Sequence, residues 1–315
     1  MPAEVIDFDQ EFHLGNSFTL ETAEQLGLLL GDEYRIIVKY DQPQELPHYE
    51  DDKLNIVIIT SRETHDVPKE FFRDDVFLIF QHYFMLDPWG YPIYNPLVYP
   101  MPLGPFRDMN YESIKPLPDR QYDFSFIGQI PETGTRDSFK RHLDKIIEET
   151  GDKFKFFVQY TNGFSQGLSP EEYIDILNDS KVSLCPQGAN SAETFRFFES
   201  IIMGAIPLVE TLPRLWFYEI APHFKGRWRD LDRTLSQVLN FLQTPDCRKL
   251  LHDISDYGTE LLCPNGLANH LKEKVLARRT HLIAHQKPLD EIRQHLKQVE
   301  QEQKNLSGEL DTNKL

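Results

Sequence analysis

Apolar positions along this chain follow two rhythms. Short runs that are apolar at nearly every position, Tyr34–Tyr40 (YRIIVKY), Leu54–Thr60 (LNIVIIT) and Val76–Phe80 (VFLIF), predict strands buried on both faces of a parallel sheet. Phe18–Leu30 carries the best helical period among the polar stretches around them. Residues 86–118 break both rhythms. Pro88, Pro92, Pro96, Pro100, Pro102, Pro105, Pro116 and Pro118 exclude a long helix there. Trp89, Tyr91, Tyr94 and Tyr99 predict that this irregular segment is packed, and a domain boundary is expected near its end.

Regular patterning resumes with a strand at Tyr122–Ile127 (YDFSFI), followed by Gly128. In the helix expected over about Arg136–Glu149, Phe139, Leu143, Ile146 and Ile147 recur at helical spacing. Phe154–Tyr160 reads as a strand. Ser169-Pro170-Glu171-Glu172 opens a helix with a capping box and a proline in the first turn. Val182–Cys185 (strand), Ala192–Met203 (helix) and Ile206–Val209 (strand) complete an alternation that predicts a parallel sheet wrapped by helices. The fold class is therefore α/β. The division expected is an N-terminal domain over 1–118 with its linker at 86–118, a second domain over 119–287, and a charged tail over 288–315. In that tail Leu289, Ile292, Leu296 and Val299 form a narrow helical stripe.

Charge narrows the function. The chain has 315 residues, with 33 Lys+Arg against 50 Asp+Glu, a formal charge of −17. Nucleic acids and anionic membranes attract clustered positive charge, so neither is an expected partner of a broad surface. A small anion held by a few arginines remains compatible. Cys185, Cys247 and Cys263 have neither CxxC nor Cys/His spacing and read as free thiols. The first residues have no basic region leading into an apolar run, and no apolar stretch approaches a membrane span. A cytoplasmic protein is expected, with peripheral membrane association left open.

The candidate chemistry lies in Lys181–Glu210. A strand ends at Pro186, the loop Gln187-Gly188-Ala189-Asn190 follows, and Ser191 is placed to cap the next helix. Gly204 is placed to end it. In open α/β sheets ligands bind at the carboxyl ends of strands, and a glycine loop feeding a helix N-terminus suits a phosphate. At 100° per residue, Glu193, Arg196, Glu199 and Ser200 fall on one polar arc of that helix. Arginine can hold a diphosphate bidentately, and a carboxylate one turn on can accept from ribose hydroxyls. The plainer reading of the same arc is a solvated face with i,i+3 ion pairs.

The run Cys185-Pro186-Gln187-Gly188, Thr194-Phe195-Arg196, Glu199 and Gly204-Ala205-Ile206-Pro207-Leu208-Val209 resembles the exostosin-like glycosyltransferases. Phe126-Ile127-Gly128 with Arg136 resembles the opening of the same domain. The likeness spans roughly residues 122–215, and Gln187 stands where that family often has arginine. The resemblance implies two Rossmann-like domains facing a cleft, the GT-B architecture, with a nucleotide sugar in the C-terminal domain and a glycan acceptor on the N-terminal side. It implies transfer with inversion and no required cofactor or metal, and a UDP-sugar is the expected cosubstrate. The donor residues it implies are Gly128, Arg136, Gln187, Gly188, Ser191, Thr194, Arg196 and Glu199, with Arg196 also stabilising the leaving group. A general base is expected on a strand-end loop of the N-terminal domain, where Glu63, His65, Asp66 and His82 are candidates. Exostosins of animal cells are anchored in the Golgi; this chain shows no anchor and fits a cytoplasmic enzyme of bacterial type.

Three alternatives stay open. One is a fucosyltransferase-like enzyme using a GDP-sugar, a family with a Glu-Lys pair where this chain has Phe195-Arg196. The others are a non-catalytic sugar-nucleotide-binding module and a scaffold working through its acidic surface and tail. Trp216-Phe217-Tyr218 could stack on a base or sugar or pack in the core, and Lys225–Arg229 forms a local basic cluster.

Overall fold

The computed structural model describes residues 1–7, 17–40, 46–60, 67, 71–87, 91–93, 95–109, 114–130, 135–163, 166–188 and 192–284. Glu63, His65, Asp66, Ser191 and the tail expected over 288–315 lie outside the described residues. The chain forms two compact units, Met1–His270 and Leu271–Leu315. Both expected sheets belong to the first unit. In the second unit, residues 271–284 are helical.

The first sheet contains β1 (Glu4–Asp7), β2 (Tyr34–Tyr40), β3 (Leu54–Thr60), β4 (Val76–Gln81) and β5 (Val98–Pro100), in that spatial order. Every neighbouring pair is parallel. Helix α1 (Ser17–Leu29) joins β1 to β2. All six residues of β4 and six of the seven in β3 are buried, as expected of strands covered on both faces. The proline-rich segment is more than a linker, because it supplies β5. Pro100 is tolerated there because β5 lies at the sheet edge, where the missing N–H leaves no ladder bond unmade.

The second sheet runs β10-β9-β8-β6-β7 and is also wholly parallel. Its strands are β6 (Tyr122–Gln129), β7 (Phe156–Thr161), β8 (Ser180–Leu184), β9 (Ile206–Val209) and β10 (Phe224–Lys225). Helices α2 (Thr135–Thr150), α3 (Pro170–Asn178) and α4 (Phe195–Ile202) make the first three crossovers, and α5 (Trp216–Ile220) precedes β10. Helices α6 (Leu231–Leu242) and α7 (Asp246–Glu260) follow. The chain steps from β6 outward to β7, then returns to the other side of β6 for β8. The carboxyl ends of β6 and β8 thus flank the point where the winding reverses, which is where open α/β sheets bind ligands.

Local chemistry explains the helix ends. Ser169 caps α3 through its hydroxyl, which accepts from the Glu172 N–H at 3.2 Å, while Glu172 accepts from the Ser169 N–H at 2.8 Å. Helix α4 ends in a Schellman turn. Gly204 N–H donates to Ile201 C=O at 2.9 Å and Ala205 N–H to Ser200 C=O at 2.8 Å, with Gly204 at φ +65°.

Candidate functional site

The start of α4 differs from the sequence expectation. The helix begins at Phe195, with extended Thr194 (φ −150°, ψ 137°) at the cap position and no side-chain cap bond. Residues 192–194 are not helical, so the cap does not fall to Ser191. The reason is a distant partner. Glu193 is 2% exposed and its carboxylate lies beside the Tyr83 backbone beyond β4. Extending the helix back through 193 would carry this side chain off that contact. Tyr83 itself holds φ +50°, a conformation uncommon outside glycine. Burial pushes the Glu193 carboxyl up to about 8.

The polar arc of α4 faces inward. Arg196 is 8% exposed, Glu199 1% and Ser200 0%, which removes the solvated-face reading. Buried charge is costly unless paired, so the partners decide what each group does. Arg196 reaches from α4 to the end of β6, where Nε donates to the Ile127 carbonyl at 3.0 Å and Nη2 donates to the same oxygen. Its guanidinium carbon lies 4.7 Å from the centre of the Phe126 ring. Nη1 is buried without a hydrogen-bond partner among the described residues. Gly128 makes this approach possible, since a Cβ there would stand 2.1 Å from Arg196 Nη2.

Arg136, from α2, crosses the reversal point. Its Nε donates to the Gln187 carbonyl at 2.6 Å and its Nη1 to the Gln129 carbonyl at 3.1 Å. It thereby ties the loop after β8 to the end of β6. Gln187 turns away from this tie, its amide nitrogen bonded to the Thr211 hydroxyl. Gly188 is half-buried beside it.

The ribose contact expected of Glu199 meets a carboxylate that already holds three donors. Oε1 accepts from the Phe106 N–H at 3.2 Å and from Arg107 Nη1 at 3.3 Å, and Oε2 accepts from the Tyr173 hydroxyl at 2.5 Å. Burial and the Glu199 charge together push the Tyr173 phenol well above its usual range. Phe106, Arg107 and Tyr173 had not been singled out in the sequence. The capping box that places Tyr173 was visible, but the partnership with Glu199 was not.

These groups line one open pocket of about 80 Å³, smaller than the roughly 300–1,000 Å³ of drug-sized ligand sites. Gly128, Gln129 and Arg136 line it together with Thr194, Phe195 and Arg196, and with Arg107 and Tyr173. Five predicted residues, Gly128, Arg136, Thr194, Arg196 and Glu199, thus come together around it, while Gln187 and Gly188 are outside its lining. The base candidate His82 is not brought to any surface. It is 0% exposed, and burial lowers its imidazole to about 3, so it is neutral and enclosed rather than poised to take a proton. Phe217 and Tyr218 are core residues, and Trp216 stacks on His270 with ring centres 3.9 Å apart, which settles that motif as packing. Within the basic cluster, Trp228 is buried against Phe139. Among the described residues no helix is long and apolar enough to cross a membrane.

Residues 105–214 match the family model described as the RXYLT1 C-terminal domain, of the exostosin/GT-B-like glycosyltransferases. The match takes in the pocket-lining segments from Phe106 to Glu199 and bears out the exostosin-like resemblance over about a third of the chain. No curated protein sequence matches. Among solved structures, an α1,3-fucosyltransferase is similar at 11% identity and a TM-score of 0.43, over 90% of this chain and 91% of that one. The accessory secretory protein 1, 2 and 3 structure of Streptococcus pneumoniae is similar at 9% identity and 0.43, over 84% of this chain and 58% of the other. TarM is similar at 10% identity and 0.40, over 82% and 57%.

Proposed function

We propose that this chain, with residues 105–214 in the exostosin/GT-B-like glycosyltransferase family, moves a sugar from a nucleoside-diphosphate sugar to a hydroxyl of a glycan acceptor. The observation that carries the proposal is Arg196, a buried guanidinium at the reversal point of a parallel sheet, with Nη1 unpartnered among the described residues and the pocket beside it. Such a group suits a diphosphate oxygen. UDP is the proposed nucleotide, and a GDP preference favours the fucosyltransferase-like alternative.

In the reaction proposed, an acceptor hydroxyl oxygen forms a bond to the anomeric carbon as the bond from that carbon to the diphosphate oxygen breaks. The diphosphate leaves with the bonding electrons, the hydroxyl proton passes to a base, and the configuration inverts. Arg196 meets the charge that gathers on the leaving oxygen, an effect stronger in the transition state than in the ground state. Arg136 holds the two strand-end loops at the spacing this requires. Metal independence and a cytoplasmic site of action belong to the same proposal.

Calorimetric titration with UDP, GDP, ADP and CMP tests the site, and donor hydrolysis with and without EDTA tests the chemistry. Binding of a nucleoside diphosphate with EDTA-insensitive hydrolysis is expected. No binding at millimolar concentration overturns the donor site, and binding without turnover under any condition favours a non-catalytic module. Loss of hydrolysis in EDTA with recovery on adding manganese overturns metal independence.

A further inference from the structure

Two of the three donors held by Glu199 come from the segment that joins the two sheets. That segment leaves β5 at Pro100 and reaches β6 at Tyr122. Near its middle the Phe106 N–H and Arg107 Nη1 converge on Glu199 Oε1, at 3.2 and 3.3 Å. The third donor, the Tyr173 hydroxyl, occupies the other oxygen. Glu199 is 1% exposed, and a carboxylate offers about four lone-pair positions. A ribose diol would need two acceptor positions on a side chain that has little surface and three positions already filled.

Arg107 has the opposite character. Its side chain is 21% exposed, it borders the pocket that Arg196 also borders, and its guanidinium carbon lies 4.1 Å from the centre of the Tyr173 ring. The ring and Glu199 fix the planar group from two directions. One N–H is committed to the carboxylate, leaving the rest of the fork for the pocket. Without Glu199, nothing else in this set would draw a cation on the inter-sheet segment down against α4.

We infer that Arg107 is a second cation of the proposed donor site, binding the diphosphate together with Arg196, and that Glu199 is a positioning residue that latches the inter-sheet segment onto α4 so that Arg107 reaches it. The inference rests on the donor-site reading above. It assigns Glu199 to the diphosphate through Arg107 rather than to the ribose directly.

The test compares UDP with 2′,3′-dideoxy-UDP, which keeps the diphosphate and lacks the ribose hydroxyls. Affinities are measured for wild type, Arg107→Ala, Arg107→Lys, Glu199→Gln and the Ala/Gln double variant, with melting temperatures from the same preparations. Arg107→Ala alters a partly exposed position and keeps the experiment informative if Glu199→Gln is poorly folded. Arg107→Ala and Glu199→Gln are each expected to weaken both ligands about tenfold or more, and by similar factors. The double variant is expected to be no worse than the worse single one, and Arg107→Lys to recover part of the loss. Glu199→Gln that weakens UDP but leaves dideoxy-UDP unchanged overturns the inference in favour of direct ribose contact. Arg107→Ala with wild-type affinity for UDP also overturns it while the donor site stands. A wild type that binds neither UDP nor GDP overturns the donor site and this inference together.

Discussion

Gly128 at the end of β6 and Arg196 on α4 occupy one space: at φ +157° the glycine turns its bare Cα to the guanidinium, and a Cβ would stand 2.1 Å from Nη2. Arg196 can therefore reach the Ile127 carbonyl only over a residue without a side chain. Gly128→Ala is expected to displace the guanidinium, lowering stability by about 1–3 kcal/mol, as for other disruptions of buried hydrogen bonds. Turnover should fall with it. Melting temperature and kcat measured together check this, and a variant normal in both removes the proposed contact.

Arg196 itself carries a structural and a chemical load. From the sequence alone, Arg196 was expected to hold the donor and stabilise the leaving group. The two hydrogen bonds to Ile127 add to that expectation, since Arg196→Ala leaves a buried carbonyl unpaired at a cost of about 1–3 kcal/mol. Loss of a charge-stabilising donor adds a drop on the order of 10²–10³ in kcat. Arg196→Lys keeps the charge without the fork and should recover only part of both. Wild-type kcat in a destabilised Arg196→Ala protein would reduce this residue to a strut.

Two buried groups set opposing pH slopes. Glu193 titrates at about 8 when folded, against 4.5 in its ordinary state, so its contribution is complete below pH 4.5 and is lost as pH rises through 8. His82 is lowered to about 3 from 6.5, so its contribution is complete above pH 6.5 and is lost as pH falls through 3. Between pH 4.5 and 6.5 the two slopes offset each other, and above 6.5 that of Glu193 acts without opposition from His82. Glu193→Gln, measured by chemical denaturation across pH 5–9, should gain on wild type steadily from about pH 5 to 8, because the His82 slope is common to both proteins and cancels in the difference. A difference that does not vary with pH excludes Glu193 as the titrating group.

Ser169→Ala removes one half of the capping box on α3 and should cost about 0.5–2 kcal/mol. Tyr173 lies one turn beyond the cap and bonds Glu199 from there. Because that contact sits deeper in the helix, nucleotide affinity should hold while stability falls. Urea denaturation alongside UDP titration separates the two effects, and equal losses in both would place the cap within the site's own support.

What the sequence disclosed followed from where the determining forces lie. β3 and β4 were legible because both faces are buried and nearly every position is apolar. β1, β5 and β10 have four, three and two residues, too few for a period to register, and β5 also carries a proline. The helical wheel of α4 gave the polar arc correctly but could not say that the arc points inward, because a period records sidedness and not what stands on either side. Its start was misplaced because the burial of Glu193 beside Tyr83 overrides local capping preference. Arg107 was illegible for the same reason: its partner Glu199 lies 92 residues away, and nothing in a proline-rich stretch distinguishes an arginine with a long-range bond from one in solvent.

The two sheets differ in winding, and this divides the labour of recognition between them. In the second sheet the reversal around β6 opens a notch in the backbone itself, so a ligand there is gripped by features that few single substitutions can erase. The first sheet is wound in one direction from β1 to β5 and has no such notch. Any selectivity on that side is written in side chains of connecting segments, which can be exchanged without disturbing a strand. On the proposed function, where the acceptor meets the first sheet, that half is the one free to diverge, and related chains are expected to keep the neighbourhood of Gly128 and Arg196 while changing their acceptor.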